Sequence, residues 1–221
     1  QCKPQEGISF LLLDMKSKGI SVKPIITLDK SHYINMVYLE DVFIPQENLI
    51  YEENKGWTVA KYLLVHERTN NAQVASSKKA LSKIRKIAKL KINGTYSLSE
   101  DKRFIDKLAN CDLRVQALEY DLIKVISNEI KGISPGVEAN MLKIRGSEIQ
   151  QEITELVLEA SGYYANSIQK NIIEIGMNEP KVGPSWTSTS AQKYFDMRKT
   201  TIYAGSTEIQ KNILAKMVLE L

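Results

Sequence analysis

Asp101-Lys-Arg-Phe-Ile-Asp-Lys-Leu-Ala-Asn-Cys-Asp-Leu-Arg-Val-Gln-Ala-Leu-Glu-Tyr-Asp-Leu-Ile-Lys-Val-Ile-Ser-Asn-Glu-Ile-Lys131 decides the fold. Phe104, Leu108, Cys111, Val115, Leu118, Leu122 and Val125 recur along it at steps of three and four, which predicts one long helix that buries a whole face. Such a face needs partners, and the flanking sequence supplies them. After Gly56-Trp57, the residues Val59, Leu63, Leu64 and Val74 mark a helix expected to run to about Ile92, where Asn93-Gly94 signals a turn. Ser134-Pro135-Gly136 opens another, with Leu142, Ile149, Ile153, Leu156 and Val157 as its stripe before Ser161-Gly162 stops it. A fourth is expected from Ser190 to Tyr203. Long amphipathic segments joined in this way are best satisfied by an antiparallel four-helix bundle, so the chain is expected to be mainly α.

The sequence before the bundle reads differently. Ile8–Leu13 and Ile20–Ile26 are strand-like runs separated by the turn-rich Asp14–Gly19, and Asn35–Ile44 is a third that Pro45 ends. So few strands leave edges and a face open, and the chain is expected to begin inside a domain. Residues 163–186 mix Gly, Pro, Asn and aromatics; they read as a long ordered loop with a short helix over 168–175.

Composition narrows the function classes. Thirty basic and 26 acidic residues give a formal net charge of +4, spread along the chain and not gathered into an arm, which speaks against a nucleic-acid tail. No apolar run reaches the roughly 18 residues of a membrane span. Cys2 and Cys111 lie far apart and read as reduced thiols in a cytosol-like compartment. His32 and His66 lack partners at metal spacing, so no metal site is expected. Trp57, at a helix start, reads as a packing anchor, whereas Trp186 either covers a ligand or plugs the bundle.

The last stretch carries the chemistry. In Ile202-Tyr-Ala-Gly-Ser-Thr-Glu-Ile-Gln210 a small-residue break precedes a helix that Ser206 or Thr207 can cap, with Ile209, Ile213, Leu214 and Met217 on one face. An open helix start suits an anion or a cofactor phosphate, while an ordinary helix joint would look the same locally. The stretch resembles the C-terminal signature of the acyl-CoA dehydrogenase family, an Ile-Tyr-x-Gly-(Ser/Thr)-x-(Glu/Gln)-Ile-Gln segment that borders flavin and thioester. Asp41-Val-Phe-Ile-Pro-Gln-Glu-Asn-Leu49 resembles that family's exit from its middle β-domain. The resemblance implies that residues 1–50 are the C-terminal part of the β-domain and 51–221 the four-helix-bundle domain, the family's N-terminal helical domain and most of the β-domain having no counterpart here. A longer parent protein is expected, and this part alone is expected not to turn over.

Leu63-Leu-Val-His-Glu-Arg-Thr69 is the second informative stretch. A Glu67 near a core pairs with a neighbouring cation or has a reason to stay ionisable. Most family members place their catalytic Glu just after the Tyr of the C-terminal motif, where this chain has Ala204. A minority, the isovaleryl- and long-chain-type enzymes, carry it within a Glu-Arg pair on the first bundle helix and keep a small residue at the other position. This chain resembles that minority at both places, which implies Glu67 as the base that removes the α-proton while the β-hydride passes to flavin N5. Arg68 then holds the CoA moiety or balances charge, a structural ion pair being the other reading. By the same resemblance Tyr203, Ala204 and Gly205 border the substrate, and Ser206, Thr207 and Glu208 face the FAD.

Arg85 or Lys86 stands near the family's pyrophosphate-binding segment, although the Phe-Gly that accompanies it is missing, and a solvated basic face explains both equally. The partners implied are an acyl-CoA substrate in β-oxidation chemistry, an electron-transfer flavoprotein, and further copies in a homotetramer or homodimer, with a mixed tetramer as the variant. The implied compartment is a bacterial cytoplasm, the mitochondrial matrix being the other. A flavin oxidase or monooxygenase on the same fold and a non-catalytic subunit are the rival readings.

Overall fold

The computed structural model describes residues 3–91, 97–133, 135–169 and 179–220; the side chains of residues 65–69 and 71 lie outside it. The chain divides into two compact units, Gln1–Glu67 and Arg68–Leu221.

In the first unit, β1 (Phe10–Leu11) pairs antiparallel with β4 (Leu49–Ile50), and β2 (Ile20–Ile26) with β3 (His32–Leu39). Ile20 stands opposite Leu39 and Ile25 opposite Ile34, with an irregularity between Ile25 and Ile26. The first expected strand shrinks to two residues, and the third starts and ends earlier than the sequence reading. The β3 ladder stops before Asp41, which adopts a left-handed φ of 50°. Gly19, at φ +92°, closes against Glu40, whose carbonyl occupies the space that a Cβ would need. Every β3 residue is exposed, as expected of a hairpin with few neighbours. Trp57, expected as an anchor, keeps 40% of its surface exposed.

The helices are α1 (Gly56–Asn71), α2 (Val74–Ala88), α3 (Lys102–Ile130), α4 (Glu138–Ser161), α5 (Ser190–Met197) and α6 (Thr207–Val218). The first predicted helix is therefore two. The break falls after Thr69-Asn70-Asn71, residue types of low helix propensity, and Gln73 adopts φ 49° with its amide Nε2 donating to the Asn70 carbonyl at 2.9 Å. The turn at Asn93-Gly94 lies outside the described residues. The helix expected over 168–175 falls mostly outside them as well, and Ile168 and Gln169 are not helical.

The predicted face of α3 is buried: Phe104, Leu108, Cys111, Val115, Leu118 and Val125 join Leu81, Ile84, Leu142, Ile149 and Leu156 in one core. Trp186 packs against that core, which favours the plug over the ligand cover. Ion pairs trace the helix directions. Lys78 and Arg85 of α2 meet Glu119 and Asp112 of α3 in reverse order. Lys107, Arg114 and Lys124 of α3 likewise meet Glu159, then Glu152 and Glu148, then Glu138 of α4. Neighbours α2–α3 and α3–α4 are thus antiparallel. Within this unit α4 is the central element, packed by α2, α3, α5 and α6.

Candidate functional site

On α4 a polar row, Asn140, Lys143, Ser147 and Gln151, runs beside the apolar stripe at steps of three and four. Lys143 and Ser147 are buried at 1% and 2% exposure. Lys143 Nζ donates to the Thr200 carbonyl at 2.9 Å, and Ser147 Oγ lies 2.9 Å from the same oxygen. Gln151 Nε2 reaches the carbonyls of Met197 and Arg198, both at 3.3 Å. Arg198 pairs with Glu155 at 2.9 Å and lies over the Tyr194 ring, 4.2 Å from its centroid. These contacts explain why the fourth predicted helix, expected to reach Tyr203, ends at Met197. Side chains of α4 take the Met197 carbonyl at its end and the Arg198 and Thr200 carbonyls just beyond, Arg198 Nε donates to the Tyr194 carbonyl, and Arg198–Thr201 tightens into a 3-10 turn.

The motif follows directly. Ile202 and Tyr203 donate their backbone N–H groups back to the Lys199 carbonyl, after which Ala204 (φ 54°) and Gly205 (φ 81°) turn through the left-handed region. The Gln210 amide fills the space that a Cβ on Gly205 would need. Ser206 caps α6, its hydroxyl accepting from Ile209 N at 3.4 Å. Thr207 is buried, and its Oγ1 has no hydrogen-bond partner among the described residues. Glu208 is exposed; its own backbone N–H and the Ser206 hydroxyl hold its carboxyl below the usual range. Glu208 therefore occupies part of the helix terminus as an anion. The side of α6 buried in this unit carries Thr207 and Gln210, while the apolar Ile209 and Met217 remain exposed.

Tyr203 borders a cavity of about 220 Å³ together with Gln73, Lys143, Ser147 and Gln150. The predicted residues Tyr203, Ala204, Gly205, Ser206, Thr207 and Glu208 are thus one continuous bend and helix start. Glu67 and Arg68 lie within α1 by their backbone, and their side chains are outside the described residues. Arg85 is engaged with Asp112 at 2.6 Å. Sequence reading passed over Lys143, Ser147, Gln151 and Gln73. For the first three a signal existed, because three polar residues at four-residue spacing sit beside an otherwise apolar stripe.

With Ser206 and Glu208 already serving the first N–H groups of α6, it is the unpartnered Thr207 hydroxyl that fits an acceptor-rich group such as a cofactor phosphate. Among the described residues no cluster of His, Cys, Asp or Glu could hold a metal ion, and no helix is long and apolar enough to cross a membrane.

Comparison with known proteins supplies a family. The family model described as "Acyl-CoA dehydrogenase, C-terminal domain" matches residues 54–219. Acyl-CoA dehydrogenase FadE34 of Mycobacterium tuberculosis is 26% identical over 156 residues, which cover 71% of this chain and 21% of that protein. Subunit CarC of the caffeyl-CoA reductase-Etf complex of Acetobacterium woodii is 25% identical over 230 residues, covering 99% of this chain and 54% of that protein. The chain thus spans about half the length of CarC, and less of FadE34. In fold it is similar to the crystal structure of the ChsE4-ChsE5 complex from Mycobacterium tuberculosis, with a TM-score of 0.80 at 24% identity, covering 99% of this chain and 55% of that one. Acyl-CoA dehydrogenases are FAD-dependent flavoproteins, and this chain, matched through its helical bundle and the C-terminal motif, belongs to their family.

Proposed function

We propose that the protein containing this chain is a FAD-dependent acyl-CoA dehydrogenase whose base is Glu67. In this reading residues 1–50 are the end of the middle β-domain and 51–221 the C-terminal bundle domain. The observation that carries the reading is Ala204. It sits in the left-handed bend at the motif, where only a methyl group projects, and by the resemblance of the motif it stands where most family members carry their catalytic carboxylate. The Glu67-Arg68 pair on α1 offers the replacement.

In this reading Glu67 takes the α-proton of the thioester, the role for which position 204 lacks a carboxylate. A base working near neutral pH benefits from a raised pKa, which a water-poor acyl pocket provides. Arg68 holds the CoA moiety or balances the charge of Glu67. Tyr203, Ala204 and Gly205 form the wall. FAD, when bound, supplies the hydride acceptor for the β-hydrogen. Toward it, the Thr207 hydroxyl suits a phosphate oxygen, with Ser206 holding the helix start in shape. Glu208, an ionised acceptor, suits hydroxyl groups of the cofactor instead.

An electron-transfer flavoprotein as redox partner is supported by the name of CarC's complex, a reductase-Etf complex. Self-association into a homodimer or homotetramer is supported by Leu113, Tyr120, Ile123 and Ile130, which share one outer face of α3 and stay exposed. A cytoplasmic site of action is supported by the bacterial relatives. The test is anaerobic titration of the intact protein with a panel of acyl-CoA thioesters. Loss of flavin absorbance with at least one of them supports the reading, and a protein that holds FAD yet bleaches with none refutes it.

A further inference from the structure

The segment from Arg198 to Ser206 makes a demanding turn. Ala204 and Gly205 are consecutive left-handed residues, and alanine tolerates that conformation only where its surroundings impose it. Four residues upstream, two side chains from successive turns of α4 converge on one oxygen. Lys143 Nζ and Ser147 Oγ each stand 2.9 Å from the Thr200 carbonyl. Thr200 itself is buried, and its hydroxyl donates to Met197 O at 2.8 Å, closing the turn beneath it. Downstream, the Gln210 amide packs over Gly205 and Ser206 caps α6. The bend is therefore fixed at both ends.

Lys143 is an expensive way to fix it. A buried ammonium loses its hydration, and among the described residues it has no carboxylate within ion-pair distance. An apolar side chain of similar length would fill the space at lower cost. What only the ammonium provides is a directed, charge-assisted donor to a carbonyl at the root of the bend.

We propose that Lys143, assisted by Ser147, is a positioning residue for the acyl-CoA dehydrogenase reaction: locked on the Thr200 carbonyl, it sets where Tyr203 and Ala204 stand as the wall of the thioester pocket. This rests on the reading of that bend as the substrate wall. It asks of the clamp only geometry, to which chemistry at a bound thioester is sensitive.

The test uses the intact FAD-loaded protein and the variants Lys143→Met and Ser147→Ala, with two readouts. Amide hydrogen exchange of residues 200–206 should speed up by about tenfold or more in Lys143→Met, and less in Ser147→Ala, while α3 amides keep their protection. The rate of flavin bleaching at saturating acyl-CoA should fall by about tenfold, with thioester affinity changed by no more than about threefold. A folded Lys143→Met whose bend exchanges as in the wild type overturns the clamp. Exchange that rises equally through α3 and α4 also overturns it, because the role would then be general stability. Local loosening with a bleaching rate within about twofold of wild type overturns the positioning role. Local loosening in a protein whose wild type bleaches with no thioester upholds the clamp and sinks the reading of the wall. Should Lys143→Met fail to fold, Ser147→Ala carries both readouts by the same criteria.

Discussion

The ammonium of Lys143 donates to the carbonyl of Thr200 at 2.9 Å, and each residue keeps only 1% of its surface exposed. Burial pulls the Lys143 pKa below its ordinary value, partly opposed by the field of Glu208. The unfolded chain therefore holds the proton to higher pH than the native one. Below the folded pKa both states are protonated and the cost of burying the charge is constant. As pH rises from the folded pKa toward the ordinary value the native state sheds the proton first, so stability rises with pH in that window. Buried Cys111 acts in the opposite sense in the same range, so the contribution of Lys143 is read as a difference: in urea unfolding across the alkaline range, wild type should gain stability with pH relative to Lys143→Met. Parallel profiles for wild type and Lys143→Met would show that Lys143 is not desolvated as described.

Cys111 offers a separate check on the core. Burial pushes its thiol up to about 12, helped by the negative charge of Glu152. In native protein at pH 8 it should resist iodoacetamide for hours and react at once in denaturant, read by mass spectrometry of its own peptide so that Cys2 does not confuse the result. Rapid native labelling of Cys111 would contradict the packing of α3.

Phe104 is fully buried near the start of α3, in the core shared with α2 and α4. Phe104→Ala should cost about 3–5 kcal/mol by lost burial and a residual cavity. Ile130→Ala, on the exposed outer face of α3, should cost under about 1 kcal/mol in a monomer. Denaturant midpoints at constant slope distinguish the two, and similar costs would mean that the outer face is also covered.

Much of this architecture was readable in the residues. The α3 stripe and the start of α6 emerged because three-and-four spacing and a small-residue break followed by a capping serine are strong local signals. The break at Gln73 did not, since Thr69-Asn70-Asn71 lowers helix preference only weakly and the apolar stripe continues across it to Val74. The early end of α5 was illegible for another reason: nothing in Ser190–Tyr203 stops a helix, and the stop comes from Lys143, Ser147 and Gln151 on a different helix. Lys143 shares its four-residue spacing with Ser147 and Gln151, but a lysine beside an apolar stripe ordinarily faces water, so the spacing alone does not reveal its burial. The bend at Ala204 was visible as local chemistry, but the meaning of its missing carboxylate came from family resemblance.

The pairing of an absent carboxylate at Ala204 with Glu67 is the central claim, and a single-turnover measurement tests it most directly. Intact Glu67→Gln protein, loaded with FAD and mixed anaerobically with an acyl-CoA that bleaches the wild type, should keep its flavin spectrum and thioester binding while its bleaching rate falls by at least about a thousandfold, in line with removal of a positioned general base. Bleaching by Glu67→Gln at the wild-type rate would contradict the assignment.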